Sequence, residues 1–440
     1  MDAAEGYVMG TSANPVDKAS CEKRDVVAGL VPAQLGARKD ARTSKINERI
    51  RVRRNAVYGG SGGCQVEHVA VAMSGGVDSS TAALILKNTG CAPVGFSMRL
   101  WDQRRSRDGT ENTDVRATRC CAPDDLYDAR SAAARIGIPC YVVDFQKEFE
   151  DFVVRPFVEE YRRGRTPSPC VHCNSRLKFD HLTRMAEDVG ANRVATGHYA
   201  RVARDEQNGR FLLLEARDKN KDQSYFLFGL TQEQLARVLF PLGELTKQEV
   251  RGIARLNGLP TAEKAESQEI CFVPDGDYAA FVEQYRPRDG SVSVEAPPPG
   301  KVIDTTGRVL GAHNGIHHYT IGQRRGLGIA HSEPLYVLEM RPQENIVVVG
   351  ERHLLGQNRC LVEQPNWIAI PNLTEPLRVK VKIRSRHTPA AALIEPQRDG
   401  KDGGVTVTFD MPQYGITPGQ ACVFYQDEIV VGGGWITGGY

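Results

Sequence analysis

The strongest constraint on the fold is a loop rich in glycine and serine that joins an apolar strand to an apolar helix. The run from Val66 to Met73 predicts the strand, Gly90 closes the helix, and the loop between them reads SGGVDSS, residues 74–80. Such a unit binds phosphate, because glycine lets backbone N–H groups face an anion and the helix N-terminus adds partial positive charge. The loop lacks the lysine of the G-x-x-x-x-G-K-[ST] motif. It is therefore a phosphate-binding loop of another kind, and a turn that binds nothing is the alternative.

Strand and helix patterns continue to alternate after this loop. They read APVGFSMRLW, DDLYDARSAAARIG, PCYVVDF, FVVRPFVEEYRRG and NRVATGHYAR. This alternation predicts a parallel sheet covered by helices on both faces, with ligand sites at the carboxyl ends of its strands. His198 follows the last of these strands, so it is a candidate wall of the site, although a lone histidine is more often structural.

The carboxyl-terminal part of the chain has a different pattern. Two capping boxes, Thr231 with Gln234 and Thr246 with Glu249, predict two more helices. Beyond about residue 274 the helical period gives way to alternating polar and apolar residues between turns, which predicts antiparallel strands. We therefore expect an N-terminal extension over 1–65, an α/β domain over 66–273, a central β-rich domain over 274–356 and a second β domain over 357–440.

Composition limits the class of protein. The chain has 440 residues, a net charge of +2 and an odd number of cysteines, 11. No apolar run approaches the ~20 residues of a membrane-spanning helix, and the irregular cysteines favour a reducing compartment. We expect a cytoplasmic protein. The basic stretch RKDARTSKINERIRVRR and the linker YGGSGG favour a disordered extension. Import into an organelle is the alternative, and the acidic residues near the start of the chain argue against it.

One strand of the last domain carries cations at every second position. Arg378, Lys380, Lys382, Arg384 and Arg386 would share one face of LRVKVKIRSRH. Such a stripe suits a phosphate backbone, and a solvated face or an edge strand protected by lysines is the alternative. The segment IGQRRGLG, residues 321–328, adds a second basic loop.

Three cysteines are candidates for chemistry. Cys170 and Cys173 form a C-x-x-C, and Cys271 follows much later. A structural zinc site usually needs four ligands, so zinc is disfavoured. A dithiol oxidoreductase would place the pair at a helix start, where a cap at Asn174 or Ser175 would lower the pKa of Cys173, but a redox enzyme has no use for a phosphate loop. The residues alone leave the role of the pair open.

The loop SGGVDSS resembles the pyrophosphate loop (PP-loop) of the ATP pyrophosphatase superfamily, whose members split ATP between the α- and β-phosphates. Further motifs extend the resemblance to the tRNA-specific 2-thiouridylases. They are AMSGGVDSS, GRTPSPCVHCNSRLKF, ATGHYAR, KNKDQSYFL, ICFVP, HHYTIGQRRGLGI and TPGQACVFY, in order over residues 66–440. The resemblance implies a PP-loop domain, a central β domain and a C-terminal β-barrel that contacts tRNA. The N-terminal extension lies outside it.

The resemblance also implies a reaction, the ATP-dependent conversion of the wobble uridine of lysine, glutamate and glutamine tRNAs to 2-thiouridine. Cys173 would be the catalytic thiol, and Cys271 would carry a persulfide received from a sulfur-donor protein. Sulfur would reach an adenylated uridine directly, or as sulfide released when a Cys173–Cys271 disulfide forms. Asp78 would help to hold Mg²⁺ and pyrophosphate, and Ser74 and Ser79 would bind phosphate.

The resemblance implies three sets of binding residues. The ATP contacts would be Ala72, Met73, Ser74, Gly75, Gly76, Val77, Asp78, Ser79, Met98 and Gly197. Ser168, Pro169 and Cys170 would border the target base. The tRNA contacts would be His198, Lys221, Asp222, Gln223, Arg384, Ser385 and Gln420.

Cys170 departs from the family pattern, because better-known members carry an aspartate there that is a proposed general acid or base. Cys170, Cys173 and Cys271 could instead hold a [4Fe–4S] cluster with one open iron. An ATP pyrophosphatase that acts on a small molecule, an iron–sulfur thiolase of another tRNA position and a non-catalytic RNA-binding protein remain as alternatives.

Overall fold

The computed structural model describes Glu48 and residues 66–101, 123–266, 270–273, 276–289, 297–397 and 403–440. The prediction for the N-terminal extension therefore lies outside the described residues, apart from Glu48. Among the described residues, no helix is long and apolar enough to cross a membrane.

A five-stranded parallel sheet forms the first layer, as the alternating pattern predicts. The strands of the first 240 residues are β1 (His68–Ala72), β2 (Ala92–Arg99), β3 (Cys140–Asp144), β4 (Arg193–Ala195), β5 (Ala200–Arg204), β6 (Phe211–Glu215) and β7 (Val238–Leu239). The sheet order is β3-β2-β1-β4-β7, with every pairing parallel. β1 is central and almost entirely buried, so the phosphate loop leaves the sheet at its middle.

Seven helical segments accompany the sheet in the described chain. They are α1 (Val77–Asn88), α2 (Pro123–Ile136), α3 (Gln146–Phe149, Glu150–Val154 and Arg155–Arg162), α4 (Pro169–His172, Cys173–His181 and Leu182–Asp188), α5 (Gln232–Arg237), α6 (Lys247–Leu256) and α7 (Tyr278–Gln284). The middle stretches of α3 and α4 are π-helical. Both predicted capping boxes are confirmed, with Thr231 and Thr246 each capping its helix reciprocally with the residue three positions later.

Helix α7 corrects the expectation that only strands follow residue 274. The Asp277 side chain accepts a hydrogen bond from Ala280 N at 3.0 Å and starts the helix. With seven residues, α7 is too short for a 3.6-residue period to be recognised in the sequence.

A small four-stranded sheet follows. Its strands are β8 (Gly300–Ile303), β9 (Val309–His313), β10 (Tyr336–Arg341) and β11 (Ile346–Gly350), in the order β10-β11-β8-β9. Val302, Val337 and Val347 lie in its separate hydrophobic core.

The last domain is a closed six-stranded antiparallel barrel. Its strands are β12 (Gly356–Trp367), β13 (Leu377–Lys382), β14 (Ala390–Pro396), β15 (Val405–Tyr414), β16 (Ala421–Gln426) and β17 (Ile429–Gly439). The pairing of β12 with β17 closes it. The fold class is thus confirmed: a parallel α/β domain followed by two β-rich domains.

The hairpin β5–β6 joins the α/β domain to the barrel. Leu213 and Leu214 of β6 pair with Val430 and Ile429 of β17, which extends the barrel sheet to eight strands. One hydrophobic cluster also contains both Cys173 and barrel residues such as Tyr425. The barrel is therefore built onto the α/β domain beside the C-x-x-C helix.

Candidate active site

Two glycines allow close backbone approaches at the phosphate loop, one between the loop and the start of α2 and one between the loop and the residues that follow β4. Gly75 has φ of +73°, and a Cβ there would lie 2.2 Å from the backbone oxygen of Asp125. A Cβ on Gly197 would lie 2.6 Å from the backbone nitrogen of Ser79. Because both neighbours are backbone atoms that cannot turn aside, glycine is required at both positions.

Serine hydroxyls hold the loop in shape. Ser74 N donates to Ser79 Oγ at 3.2 Å, and the hydroxyls of Ser79 and Ser80 donate to Gly76 O at 3.3 and 2.9 Å. Ser74 is exposed, whereas Ser79 is buried. The loop is therefore preformed, and its exposed rim is the part that can meet an anion. Ala72, Met73 and Val77 are buried beneath it, and Met98 lies half-buried near the carboxyl end of β2.

Asp78, at the first turn of α1, is the centre of a charged cluster. Lys247 Nζ lies 2.7 Å from both carboxylate oxygens of Asp78, and the Tyr199 hydroxyl donates to Asp78 Oδ1 at 2.8 Å. Lys247 also contacts Glu266 at 2.9 Å, and Lys221 contacts Glu266 at 2.6 Å. Burial raises the pKa of Glu266, but hydrogen bonds from the two lysines outweigh it and hold that pKa at about 2.

Lys247, Glu266 and Tyr199 are the residues of this cluster that the sequence analysis missed. Lys247 received no role there, although it directly follows Thr246, which caps the helix. Its signal was its place in the first turn of α6, where a cation opposes the helix dipole. A lysine there needs a compensating anion, and Asp78 and Glu266 are those anions.

The C-x-x-C lies inside a helix rather than before one, which corrects the expected cap at Asn174 or Ser175. Helix α4 begins at Pro169, whose ring is compatible with the first turn, where its missing N–H would have no partner. The Asn174 side chain instead donates to Phe226 O at 3.1 Å, and the Ser175 hydroxyl donates to Val171 O at 2.9 Å. Cys170 is consequently the cysteine in the first helical turn, and Cys173 lies in the π-helical stretch.

The three candidate cysteines differ in their surroundings. Cys170 is exposed as a residue, yet desolvation by its neighbours, followed by the charge of Cys173, raises the pKa of its thiol to about 11. Cys173 belongs to a buried hydrophobic cluster, and Cys271 packs against the same cluster. All described cysteines are thiols rather than disulfides.

Lys178 links the cysteine helix to the end of β4. Its charge acts on both the Cys170 thiol and the His198 imidazole, and its ammonium donates to Asn174 Oδ1 at 3.1 Å. His198 Nδ1 lies 2.7 Å from Thr196 Oγ1. Burial, and then Lys178, lowers the pKa of His198 well below its usual value, so this ring is neutral.

The barrel contacts the segment that leads into the C-x-x-C. Gln420 Nε2 donates to the backbone oxygens of Thr166 and Pro167 at 3.0 and 3.2 Å. Thr166 N donates to Pro418 O at 2.9 Å. Ser168 is buried. The Gln420 side chain, expected to contact tRNA, is thus bonded to the backbone beside the cysteines.

Other expected tRNA contacts are also engaged within the protein. Gln223 Oε1 accepts from Tyr199 N at 2.9 Å. Asp222 is almost fully buried, accepts from Ala216 N at 2.8 Å and from the Ser224 hydroxyl at 2.8 Å, and burial raises its pKa. Their contact with tRNA stays a prediction.

The predicted cationic stripe is divided in the structure. β13 ends at Lys382, which is 9% exposed because it lies between Glu215 at 3.0 Å and the Tyr425 ring. Arg384, Ser385 and Arg386 are exposed in the loop beyond the strand, beside a cavity that Arg384 and Arg386 line. The prediction of five outward cations is therefore wrong at Lys382, whose neighbours include a buried carboxylate. Arg378 pairs with Asp410 at 2.6 Å.

Three protein-family models match the chain in order. They are the tRNA methyl transferase HUP domain at residues 67–275, the tRNA methyl transferase PRC-barrel domain at 292–351 and the aminomethyltransferase beta-barrel domain at 357–436. A solved NMN synthetase from Francisella tularensis covers 52% of this chain and 76% of its own at 16% identity, with a TM-score of 0.31. That score is too low to transfer any property.

Two curated relatives match over nearly their whole length. The tRNA-specific 2-thiouridylase MnmA of Solibacter usitatus is 52% identical over 371 residues, 84% of this chain and 98% of that protein. The enzyme of the same name from Koribacter versatilis is 50% identical over 370 residues, 84% of this chain and 99% of that protein. On these matches, the chain belongs to the tRNA-specific 2-thiouridylase family.

Proposed function

We propose that the phosphate loop and the C-x-x-C helix together form the site at which this chain thiolates tRNA. As a member of the family, the chain is an ATP-dependent sulfurtransferase that converts the wobble uridine of tRNA to 2-thiouridine. The observation that carries the proposed site is the contact of His198 with Phe179 of the cysteine helix, whose ring centroids lie 6.0 Å apart. Gly197, the residue before His198, lies against the backbone of Ser79 in the phosphate loop. The cysteine helix and the phosphate loop therefore meet at the end of β4.

The first step is activation of the uridine. Uridine O2 attacks the α-phosphorus of ATP, pyrophosphate leaves, and the O2–adenylate forms. The exposed rim of residues 74–79 would bind the departing phosphates, with the N-terminus of α1 behind it. Met98 and Gly197 complete the proposed nucleotide contacts. The near approach of Gly197 to Ser79 supports this assignment, because a side chain there would fill the space beside the loop.

Mg²⁺ would be held by Asp78, the carboxylate that adjoins the loop. The residues fit a magnesium ion, since Asp78 offers two hard oxygen ligands and such sites commonly combine one or two carboxylates with substrate phosphates. When bound, the ion would offset the phosphate charge. Lys247 Nζ lies at both Asp78 oxygens, so the ion and this lysine would share the carboxylate.

Sulfur transfer is the second step. A sulfur-donor protein would load Cys271 as a persulfide. The terminal sulfur attacks C2 of the adenylated uridine and AMP leaves; Cys173 then attacks the inner sulfur, which breaks the S–S bond and frees the 2-thiouridine. Alternatively, Cys173 attacks the inner sulfur first, and the released sulfide attacks C2 as AMP leaves. Either route forms a Cys173–Cys271 disulfide, which an external thiol reductant must reopen before the next turnover. Cys170, with its pKa near 11, is protonated at neutral pH and can donate a proton but not accept one. Ser168, Pro169 and Cys170 would border the base.

Binding of tRNA would rest on the barrel and on the adjoining loops. Arg384 and Ser385 are exposed there, which supports phosphate contacts. Lys221, Asp222, Gln223, His198 and Gln420 complete the proposed set. A cytoplasmic location agrees with this substrate.

A [4Fe–4S] cluster on Cys170, Cys173 and Cys271 is the second candidate for the sulfur chemistry. The observation that favours it is the nearness of Cys170 to Cys173, whose charge acts on the Cys170 thiol, since a cluster needs neighbouring cysteines. It would supply an open iron for sulfide.

The test is 2-thiouridine formation from ATP and a persulfide donor on unmodified tRNA, with iron and acid-labile sulfide measured on the same anaerobic preparation. The comparison uses wild type, Cys170→Ser, Cys173→Ser and Cys271→Ser. The relay predicts that iron-free protein is active, that Cys170→Ser keeps activity and that the other two variants lose it. Activity that follows iron content and disappears in all three variants would establish the cluster instead. Thiolation that survives Cys173→Ser and Cys271→Ser together would refute the proposed site.

A further inference from the structure

Two histidines and a glutamate converge at the junction between α7 and the central β domain. Glu283 lies near the end of α7, and His317 and His318 form the 3₁₀ turn Ile316–His318. Glu283 Oε1 lies 3.1 Å from His317 Nε2 and 2.9 Å from His318 Nε2. Among the described residues, these three are the group of histidine, cysteine and acidic side chains whose ligand atoms all lie within 4.8 Å of one another.

We propose that Glu283, His317 and His318 form a binding site for a divalent transition metal of the zinc class. The assignment goes beyond thiolation, since none of the three residues belongs to the ATP, cysteine or tRNA sites. Zinc and the neighbouring divalent transition metals bind to two imidazole nitrogens and a carboxylate oxygen, with water in the remaining coordination positions.

The distances suit a shared ion. In a tetrahedral site with bonds of about 2.0–2.1 Å, neighbouring ligand atoms lie about 3.3 Å apart. The two nitrogen–oxygen separations of 3.1 and 2.9 Å are close to that edge length. A small outward movement of the carboxylate would therefore open a position between the three atoms without moving the backbone.

His317 is held with one nitrogen aimed at the site. The residue is fully buried, and a Cβ on Gly315 would lie 2.3 Å from His317 Cε1 and 2.7 Å from its Nδ1, so glycine packs against that edge of the ring. Nδ1 is buried and makes no hydrogen bond within the described structure. Nε2 is thus the nitrogen that can bind a ligand.

The site is accessible from one side. The Glu283 and His318 side chains are 41% and 34% exposed, so an ion can enter and keep water ligands. Tyr278, at the start of α7, donates its hydroxyl to His318 O at 3.2 Å. An ion would therefore add a second link between α7 and the turn Ile316–His318, which α7 already contacts through this hydrogen bond. It would stabilise the packing of α7 on the central domain.

Co²⁺ is the probe, because its visible spectrum reports coordination number and distinguishes nitrogen and oxygen ligands from thiolate. The metal-stripped full chain is titrated with Co²⁺ as wild type, Glu283→Gln and His318→Gln. The proposal predicts that wild type binds about one ion more than either variant, or binds it at least about tenfold more tightly. Zn²⁺ should raise the melting temperature of wild type more than that of the variants.

His353→Gln is the matched control, because His353 makes an exposed pair with Glu351 at 3.3 Å but has no second histidine. This variant should bind Co²⁺ as wild type does. The double variant Cys170→Ser with Cys271→Ser should also bind the extra ion, which distinguishes this site from metal bound to the thiols.

Far-ultraviolet circular dichroism establishes that each variant is folded, and His318 is partly exposed, so its replacement leaves the core intact. Equal Co²⁺ stoichiometry and affinity in wild type and His318→Gln would overturn the site and leave a hydrogen-bonded trio.

Discussion

The imidazole of His172 stacks on the indole of Trp435, with ring centroids 4.7 Å apart and planes 19° apart. His172 lies between the two cysteines of the C-x-x-C, and Trp435 belongs to β17 of the barrel. Trp435 also packs at an angle against Phe228, at 5.9 Å. The barrel, which carries the proposed tRNA-binding arginines, therefore holds the cysteine helix directly.

Trp435→Ala should loosen that helix. Loss of the stack and of the contact with Phe228 should lower the free energy of unfolding by about 2 kcal/mol, and the buried Cys173 should react faster with an alkylating reagent. The measurements are urea unfolding and the rate of Cys173 modification, followed by mass spectrometry. Trp435→Phe should keep most of the contact. Tyr127→Ala, which removes an aromatic ring that is 71% exposed, is the control, and an equal gain in Cys173 reactivity there would contradict the role of the stack.

His172 should make stability depend on pH. Burial, with a smaller effect from Arg176, lowers the pKa of His172 to about 4, whereas the unfolded chain titrates near 6.5. Below pH 6.5 the unfolded chain gains a proton that the folded chain excludes, so this contribution is complete above pH 6.5 and is lost as the pH falls through 4.

His172→Phe keeps a ring over Trp435 without a titrating group. The stability of wild type relative to this variant should fall between pH 6.5 and 4, by up to about 3 kcal/mol. Urea unfolding at half-unit steps of pH measures the difference. His198, His313, His317 and His387 are present in both proteins, so their contributions cancel. Parallel stability curves would show that His172 does not titrate in this way.

The sequence predicts best where a local signal is strong. Three such signals depend only on neighbouring residues: the loop SGGVDSS after an apolar strand and the capping boxes at Thr231 and Thr246. The structure contains all three features. The split cationic stripe is different, because its outcome depends on Glu215, which is distant in sequence and reaches Lys382 through the packing of hairpin β5–β6 on the barrel. Alternation specifies a face of a strand but not what covers that face.

The site shows the same limit. Its cysteines and glycines were identified from motifs, whereas the ion pair of Lys247 with Asp78 joins residues 169 positions apart. Likewise, the contact of Gln420 with Thr166 brings together residues 254 positions apart. Such pairs arise from the order of strands in the sheet and from the docking of the barrel, which no short window of sequence contains.

Replacement of Lys382 should change the stability of the protein, whereas replacement of Arg386 should change its binding of tRNA. Arg386→Ala removes an exposed cation and should weaken tRNA binding, lowering the slope of log affinity against log salt by about 1. Lys382→Met removes a cation that pairs with Glu215 and with the almost fully buried Asp222, so it should lower stability by about 3 kcal/mol, while the salt slope stays that of wild type. Filter binding at several salt concentrations and thermal unfolding measure the two effects. An unchanged salt slope in Arg386→Ala would exclude that residue from the tRNA surface.

Gln420→Ala should act on catalysis through the cysteine segment. Removing its two hydrogen bonds to Thr166 and Pro167 should cost about 1–2 kcal/mol of stability and reduce kcat for thiolation. Gln426→Ala is the matched control, because that exposed glutamine, at the far end of the strand that follows Gln420, β16, makes one long bond of 3.4 Å to Arg378 O. An unchanged kcat would contradict this positioning role, and a rise in the Kd for tRNA would measure the proposed tRNA contact of the same side chain.

Lys247→Met should impair the ATP half-reaction. Lys247 is 12% exposed and neutralises Asp78 and Glu266 together, so its loss leaves two carboxylates beside the loop that must accept phosphates. Pyrophosphate release in the presence of tRNA should fall at least tenfold, about 1.4 kcal/mol or more, while the Kd for tRNA stays within about twofold of wild type.

Two further variants separate chemistry from folding. Lys219→Met removes a lysine that is 52% exposed and pairs with Glu215 and Glu428, away from Asp78, and should release pyrophosphate at the wild-type rate. Lys247→Met with Glu266→Gln also removes the carboxylate that has lost one of its lysine partners, so it should recover part of the lost stability without recovering pyrophosphate release. If the double variant recovered both, Lys247 would be a structural counter-ion and would take no part in binding the phosphates.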